Sequence, residues 1–347
     1  LAALDDPSTH VAIRAADALM STRQLSGAKR DDLVAWVEDH PTEWRQAGSV
    51  LALLGRLGAG DVIRSWLETW GEDDVVPRTR GIGAMAFVPG PEATEFLVEA
   101  AASPQSRIRA TALGGLARRW PAEKANLDIH TSYFRTFLEG LRTGDPSAVF
   151  VSAPALADSA FLPLGSVTVL MNEYNQQTLP EDLEGMQAIL RAIASTGAPE
   201  AEAFIRRALD APSQAIRNTA AEALSTLTEE EVEAPLLETE EESAGIDWTA
   251  LEALGPRPRL VLETNKGTVT AVLDAESAPM TVQTVAALAQ EGAYDGTPFH
   301  RVVPNFVVQG GDVARADGFG GPGFSIRSEF TQIPYRRGVL GMASAGK

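Results

Sequence analysis

The amino-acid sequence predicts a multidomain chain of two unlike parts. An all-α solenoid of helical pairs occupies residues 1–228, a β-rich domain occupies residues 259–347, and an acidic linker with one short helix joins them over residues 229–258. Three observations carry this. Up to residue 228 apolar residues recur three and four apart on Ala-rich faces, with short breaks at Pro, Gly or Asp. Starts of this pattern recur near residues 7, 41, 73, 104, 146, 180 and 212. Their spacing of roughly thirty to forty residues is that of stacked helical pairs, which bury their apolar faces only on one another. Beyond residue 259 the apolar period changes from helical to alternating.

The units share a pattern. In SPQSRIRATALGGL from Ser103 and APSQAIRNTAAEAL from Ala211, Pro is followed by Ile, Arg and an Ala/Leu ridge at the same offsets. DPSTHVAIRAADAL repeats the pattern with Pro7, Val11 and Leu19, and DPSAVFVSAPALAD from Asp145 is a degraded copy. Pro154 falls where the helix of that unit should run, so this helix is expected to be kinked or capped early. PTEWRQAGSVLALL, DDVVPRTRGIGAMA and PEDLEGMQAILRAI are weaker starts. These units resemble HEAT repeats, whose second helix commonly opens on Asp-Pro and carries a Val-Arg pair and an Ala/Leu face. The resemblance implies a HEAT-like solenoid of roughly six or seven units whose surface recruits a protein partner.

The segment from Thr228 to Arg259 is dense in Glu and closed by two prolines, so it reads as a solvated spacer with one helix around Trp248 to Leu254. LVLETNKGTVTAVLD then alternates apolar and polar residues with Gly at its tip, as a β-hairpin does. APMTVQTVAALAQEGAY has the spacing of one amphipathic helix entered at Ala278 and Pro279. YDGTPFHRVVPNFVVQGGD reads as two short strands around a Pro304-Asn305 turn. A Gly-rich loop, GFGGPGF, and a last pair of strands in YRRGVLGMAS follow, so strands outnumber helices, as in a barrel or sandwich.

Composition excludes several classes of function. Twenty-nine Lys and Arg against 47 Asp and Glu give a net charge of -18, which repels nucleic acid and anionic membrane surfaces. The absence of Cys removes disulfides, thiol nucleophiles and thiolate metal sites. His10, His40, His130 and His300 lie far apart without ligand spacing, so a zinc site is not expected. No apolar run reaches the length of a membrane span. Leu1 falls inside a helical unit with no initiator Met, so the sequence is expected to begin within a longer chain.

Alternation in the HRVVPNFVVQ stretch sends Phe299, Arg301 and Val303 to one face and His300 and Val302 to the other, while Val307 and Gln309 share a face. If the strands fold back, Arg301 and Gln309 stand together beside Phe306 and Val307. This sets a cation and an amide on the rim of an apolar pocket.

Tyr294, Thr297, Phe299-His300-Arg301, Phe306, Gln309 and Gly311 stand at the spacing of the signature segment of the cyclophilin-type peptidyl-prolyl cis-trans isomerases. From about Leu260 to Lys347 the hairpin, the helix after Ala278-Pro279, the glycine loop, SEF at Ser328 to Phe330 and RGVLGMASAGK resemble successive pieces of that family. The β-rich domain is therefore similar to the N-terminal part of a cyclophilin-like β-barrel. What the resemblance implies is isomerisation of Xaa-Pro bonds in proline-containing polypeptides without a cofactor. Arg301 would donate to the prolyl nitrogen and Gln309 would hold a substrate backbone group. Phe306 and Val307 would floor the proline pocket, and the backbone at Ala343 and Ser344 would pair with the peptide. Val307 stands where the family often has Met, and Ser344 where it often has Asn. His300 is read as structural, and the loop from Gly318 to Gly323 as surface. In the family a Gln-Phe-Phe strand, a Trp, a second His and the closing strands come later, so these 347 residues alone are expected to be poorly active. The alternative is a non-catalytic scaffold or proline-peptide binder with an incomplete barrel.

Overall fold

The computed structural model describes residues 2–20, 27–179, 182–236, 245–303, 307–314, 321–324, 326–335 and 338–343, with only the backbone at residues 9, 20, 27, 301 and 303. The chain divides into two compact units; the second gathers Thr178–Leu183, Arg206–Glu222 and Glu231–Lys347, and the first holds the rest.

The first unit is helical. It begins with α1 (Thr9–Met20), α2 (Gly27–Asp39), α3 (Trp44–Arg56), α4 (Gly60–Glu68) and α5 (Val75–Met85). These are followed by α6 (Pro91–Ala101), α7 (Ser106–Glu123), α8 (His130–Arg142), α9 (Pro146–Leu156) and α10 (Ser166–Gln176). Each odd helix from α3 to α9 packs on the even helix before it. Odd helices also stack on odd, from α1 through α9, while α2 meets α4, α6 meets α8 and α8 meets α10. α11 (Leu183–Ser195) and most of α12 (Pro199–Ala208) also belong to this unit, whereas most of α13 (Gln214–Thr228) falls among the residues of the second. Each of the seven starts read from the sequence falls at or just before the first residue of an odd helix. The starts thus mark the second helix of each pair. α9 passes through Pro154 and ends two residues later at Leu156, within the early ending expected.

The repeated Arg donates to the carbonyl just before the repeated Pro, Arg109 to Ser103 at 2.9 Å and Arg217 to Ala211 at 2.6 Å, and Arg109 also bridges two units. Asp145, before Pro146, caps α9 by accepting from the Ser147 amide at 3.0 Å. Arg109 of the preceding unit donates to Asp145 Oδ2 at 2.8 Å, and both side chains are largely buried. A second charged network lies nearly three turns further along α7, at Arg119. Arg119 donates to the carbonyls of Val88 and of Gly90 (2.7 Å) and to Thr94 Oγ1 (3.0 Å), and it pairs with Glu123 Oε1 at 2.6 Å. Tyr133 of α8 donates to Glu123 Oε2 at 2.5 Å, so one carboxylate ties α7 to α8 while Arg119 ties α7 to α6. Burial, reinforced by Glu123, raises the Tyr133 phenol well above its ordinary value.

Tyr174 of α10 meets Phe204 edge-on, with ring centroids 5.5 Å apart, and burial pushes its phenol up to about 12. A raised folded-state pKa confers stability that is intact below the unfolded value of about 10 and is lost as pH rises through the folded value. The denaturation midpoint is therefore expected to fall between pH 9 and about 11.5, and to fall less in Tyr174→Phe. Equal drops in the two proteins would assign the alkaline loss elsewhere.

In the second unit α14 (Trp248–Leu254) is capped by Asp247, whose carboxylate accepts from the Thr249 and Ala250 amides. It docks on α15 (Pro279–Gln290), where the Asp247 amide donates to Gln283 Oε1 at 2.7 Å and Leu251, Ala275 and Val282 share a small core. β1 (Arg259–Thr264) and β2 (Gly267–Val272) form the expected antiparallel hairpin, with Arg259 opposite Val272 and Thr264 opposite Gly267. β3 (Arg301–Val303) and β4 (Val307–Gln309) form a second two-stranded ladder. The last expected pair of strands is corrected: Tyr335 and residues 338–343, its described part, contain no strand. Val339, Leu340 and Met342 are exposed there, and an alternating pattern becomes a strand only when a partner supplies the ladder.

Candidate functional site

The chain reaches β3 through a tight turn. The Tyr294 carbonyl accepts from both the Thr297 amide (3.1 Å) and the Thr297 hydroxyl (2.7 Å), which aims Pro298, Phe299 and His300 toward the strand. Burial raises the Tyr294 phenol above its ordinary value. His300 is half-buried, and its Nδ1 is enclosed without a hydrogen-bond partner among the described residues.

The ladder register places Arg301 opposite Gln309, Val302 opposite Val308 and Val303 opposite Val307. Directly opposed positions of an antiparallel pair lie on one face. Positions 301, 303, 307 and 309 therefore form one face, and 302 and 308 the other. Exposure follows this division: Val302 and Val308 are 61% and 58% exposed, whereas Val307 and Gln309 are half-buried. Residues 304–306, including Phe306, lie outside the described residues, as do Ser344 and residues 318–320 of the loop from Gly318 to Gly323. Ala343 is described, exposed and outside any strand.

Two glycines close the back of the ladder. A Cβ on Gly310 would stand 2.9 Å from the Phe299 ring and 3.3 Å from the Pro298 carbonyl, so no side chain fits there. Gly311 has φ +85, a left-handed conformation, beside the Tyr294 ring. The next residue, Asp312, is 6% exposed, and its carboxylate accepts from the Ala314 amide at 3.0 Å.

Sequence reasoning missed Glu329. α15 has no capping side chain of its own, because its N-cap is Ala278. Glu329 supplies both acceptors from outside, taking the Met280 amide at 2.9 Å and the Thr281 amide at 2.8 Å. The available signal was a helix opening on Ala-Pro with no Ser, Thr, Asp or Asn before it, which leaves amides to be satisfied from elsewhere. Glu329→Ala is expected to cost about 1 kcal/mol, from the lost cap and its charge at the helix N-terminus. Unchanged denaturation of this variant would remove the cap from the account.

One face of the short ladder carries an Arg position, 301, and a Gln position, 309, directly across from each other. Among the described residues no cluster of His, Asp or Glu could hold a metal ion. Nor is any described helix long and apolar enough to cross a membrane.

Residues 259–347 match the family described as cyclophilin type peptidyl-prolyl cis-trans isomerase/CLD, and residues 180–255 match HEAT repeats. A peptidyl-prolyl cis-trans isomerase of Synechococcus elongatus is 45% identical over 87 residues, which cover 25% of this chain and 59% of its own. Peptidyl-prolyl cis-trans isomerase B of Bacillus subtilis is 50% identical over 74 residues, covering 21% and 51% respectively. One from Helicobacter pylori is 40% identical over 98 residues, covering 28% and 60%. The chain thus spans 51 to 60% of the length of these relatives. Residues 259–347 thus match the cyclophilin-type peptidyl-prolyl cis-trans isomerase family, on a chain whose residues 180–255 match HEAT repeats.

Proposed function

We propose that this protein is a peptidyl-prolyl cis-trans isomerase that acts on proline-containing polypeptides and recruits a protein partner through its helical repeats. The observation that carries the reading is the direct cross-strand pairing of Arg301 with Gln309 within the segment that matches the isomerase family.

The chemistry asks little of a protein. Cis and trans Xaa-Pro bonds lie within about 1 kcal/mol of each other and are separated by a barrier of roughly 18–20 kcal/mol that comes from amide resonance. Twisting the bond breaks the resonance and returns a lone pair to the prolyl nitrogen. Arg301 donates to that nitrogen in the twisted state and has almost nothing to bind there in either planar state. Its stabilisation is therefore spent on the barrier. Gln309, across the ladder, holds a substrate backbone group beside the proline. Phe306 and Val307 receive the ring, and the backbone at Ala343 and Ser344 adds the peptide as a strand. No covalent bond is exchanged and no proton is transferred, so His300 is left to structure.

A protein whose refolding waits on a native cis proline refolds over tens of seconds. A substoichiometric amount of this protein, expressed from its complete gene, is expected to abolish that slow phase. Binding of the refolding chain with no change in rate would favour the scaffold reading.

A further inference from the structure

The first unit contains a cleft between α7, α9 and the end of α11. Its volume is about 370 Å³, and it is lined by Ala117 and Trp120 of α7, Val151 and Pro154 of α9, Asp158 just beyond α9, and Ser195 at the end of α11. The walls are apolar, and the Trp120 ring is fixed by stacking on Phe161 at a centroid distance of 4.5 Å.

The electrostatics of the cleft have one sign. α9 ends at Leu156 and α11 at Ser195, so two helix C-termini, each with partial negative charge, reach it. Pro121 inside α7 has no amide hydrogen, which deprives the Ala117 carbonyl of its helical donor, and Pro154 does the same to Phe150. Burial alone would raise the Asp158 carboxyl. The Ala160 amide, the Lys124 ammonium and the Trp120 indole beside it outweigh burial and hold it below its ordinary value. Lys124 Nζ already lies 3.2 Å from Asp158 Oδ2, which indicates the kind of group this carboxylate accepts.

We propose that this cleft takes a basic side chain, arginine by preference, from a protein partner. The apolar walls receive the methylene stem, and Asp158 with the Ala117 carbonyl receives the head. A guanidinium fits better than an ammonium because its planar fork reaches two separate acceptors. The net charge of -18 draws basic partners toward the chain from a distance. The inference rests on the partner-recruiting role proposed for the repeats and gives that partner a chemistry.

The test follows the indole N–H resonances of the protein by NMR during titration with acetyl-Ala-Arg-Ala-amide and, separately, acetyl-Ala-norleucine-Ala-amide. The Trp120 resonance is expected to move saturably with the arginine peptide and about tenfold more weakly with the norleucine peptide. Asp158→Asn keeps an acceptor for the Ala160 amide but removes the charge, and is expected to weaken arginine-peptide binding about tenfold. Lys124→Met removes the competing cation and is expected to strengthen it. Equal response to both peptides, indifference to Asp158→Asn, or movement of other indoles but not Trp120 would overturn the proposal. A client that still binds the repeats while the arginine peptide does not would overturn the cleft and leave the broader recruiting role standing. Isomerase turnover does not enter this readout.

Discussion

Arg301→Ala is expected to slow prolyl isomerisation by about 10²–10³-fold, the usual cost of removing one preorganised donor from a developing charge. The loss should fall on turnover rather than on peptide affinity, because the guanidinium meets its acceptor only when the amide is twisted. The ladder should persist, since Arg301 pairs with Gln309 through its backbone and alanine keeps that backbone. Arg301→Lys should recover little of the loss, because an ammonium on a flexible stem does not hold the planar donor geometry. A variant with unchanged turnover would remove Arg301 from the mechanism. One with unchanged turnover per bound peptide but weaker binding would reassign it to substrate capture.

Arg119→Met is expected to destabilise the helical repeats by about 3–5 kcal/mol, the range seen when one partner of a buried ion pair is removed. Arg119 is 7% exposed and serves the Val88 and Gly90 carbonyls, Thr94 and Glu123 together, so its loss strands several acceptors at once. Glu123 keeps Tyr133 as a donor and is partly exposed, which places the expected cost toward the lower end. The variant Arg119→Met with Glu123→Gln should recover part of the loss, because no charge is then left unpaired. Chemical denaturation followed by helical circular dichroism reads both. A single variant with an unaltered midpoint would mean that the network adds specificity without stability.

Much of this was legible from local pattern. The seven helix starts were readable because a helical period and a recurring Pro-Arg offset are properties of short stretches. The offset proved to be a contact within each unit, with Arg109 donating to the Ser103 carbonyl and Arg217 to the Ala211 carbonyl, each just before the Pro. The facing of Arg301 and Gln309 was readable because strand side chains alternate with period 2 and the Pro304-Asn305 turn suggested fold-back. What escaped depends on distant partners. Glu329 caps a helix 48 and 49 residues away in sequence, and α14 is fixed to α15 by a contact between Asp247 and Gln283, 36 residues apart. Neither leaves a periodic trace. The strands expected in YRRGVLGMAS failed for the converse reason, because alternation there has no described neighbouring strand to complete a ladder.

The measurement that bears most directly on the central claim is the cis–trans exchange rate of a short Xaa-Pro peptide, read by NMR magnetisation exchange in the same samples in which its binding is titrated. The account predicts that exchange accelerates at catalytic concentrations of the protein expressed from its complete gene, and that Arg301→Ala abolishes the acceleration while binding persists. Saturable binding with exchange left at its uncatalysed rate would contradict it and leave a proline-peptide binder in its place.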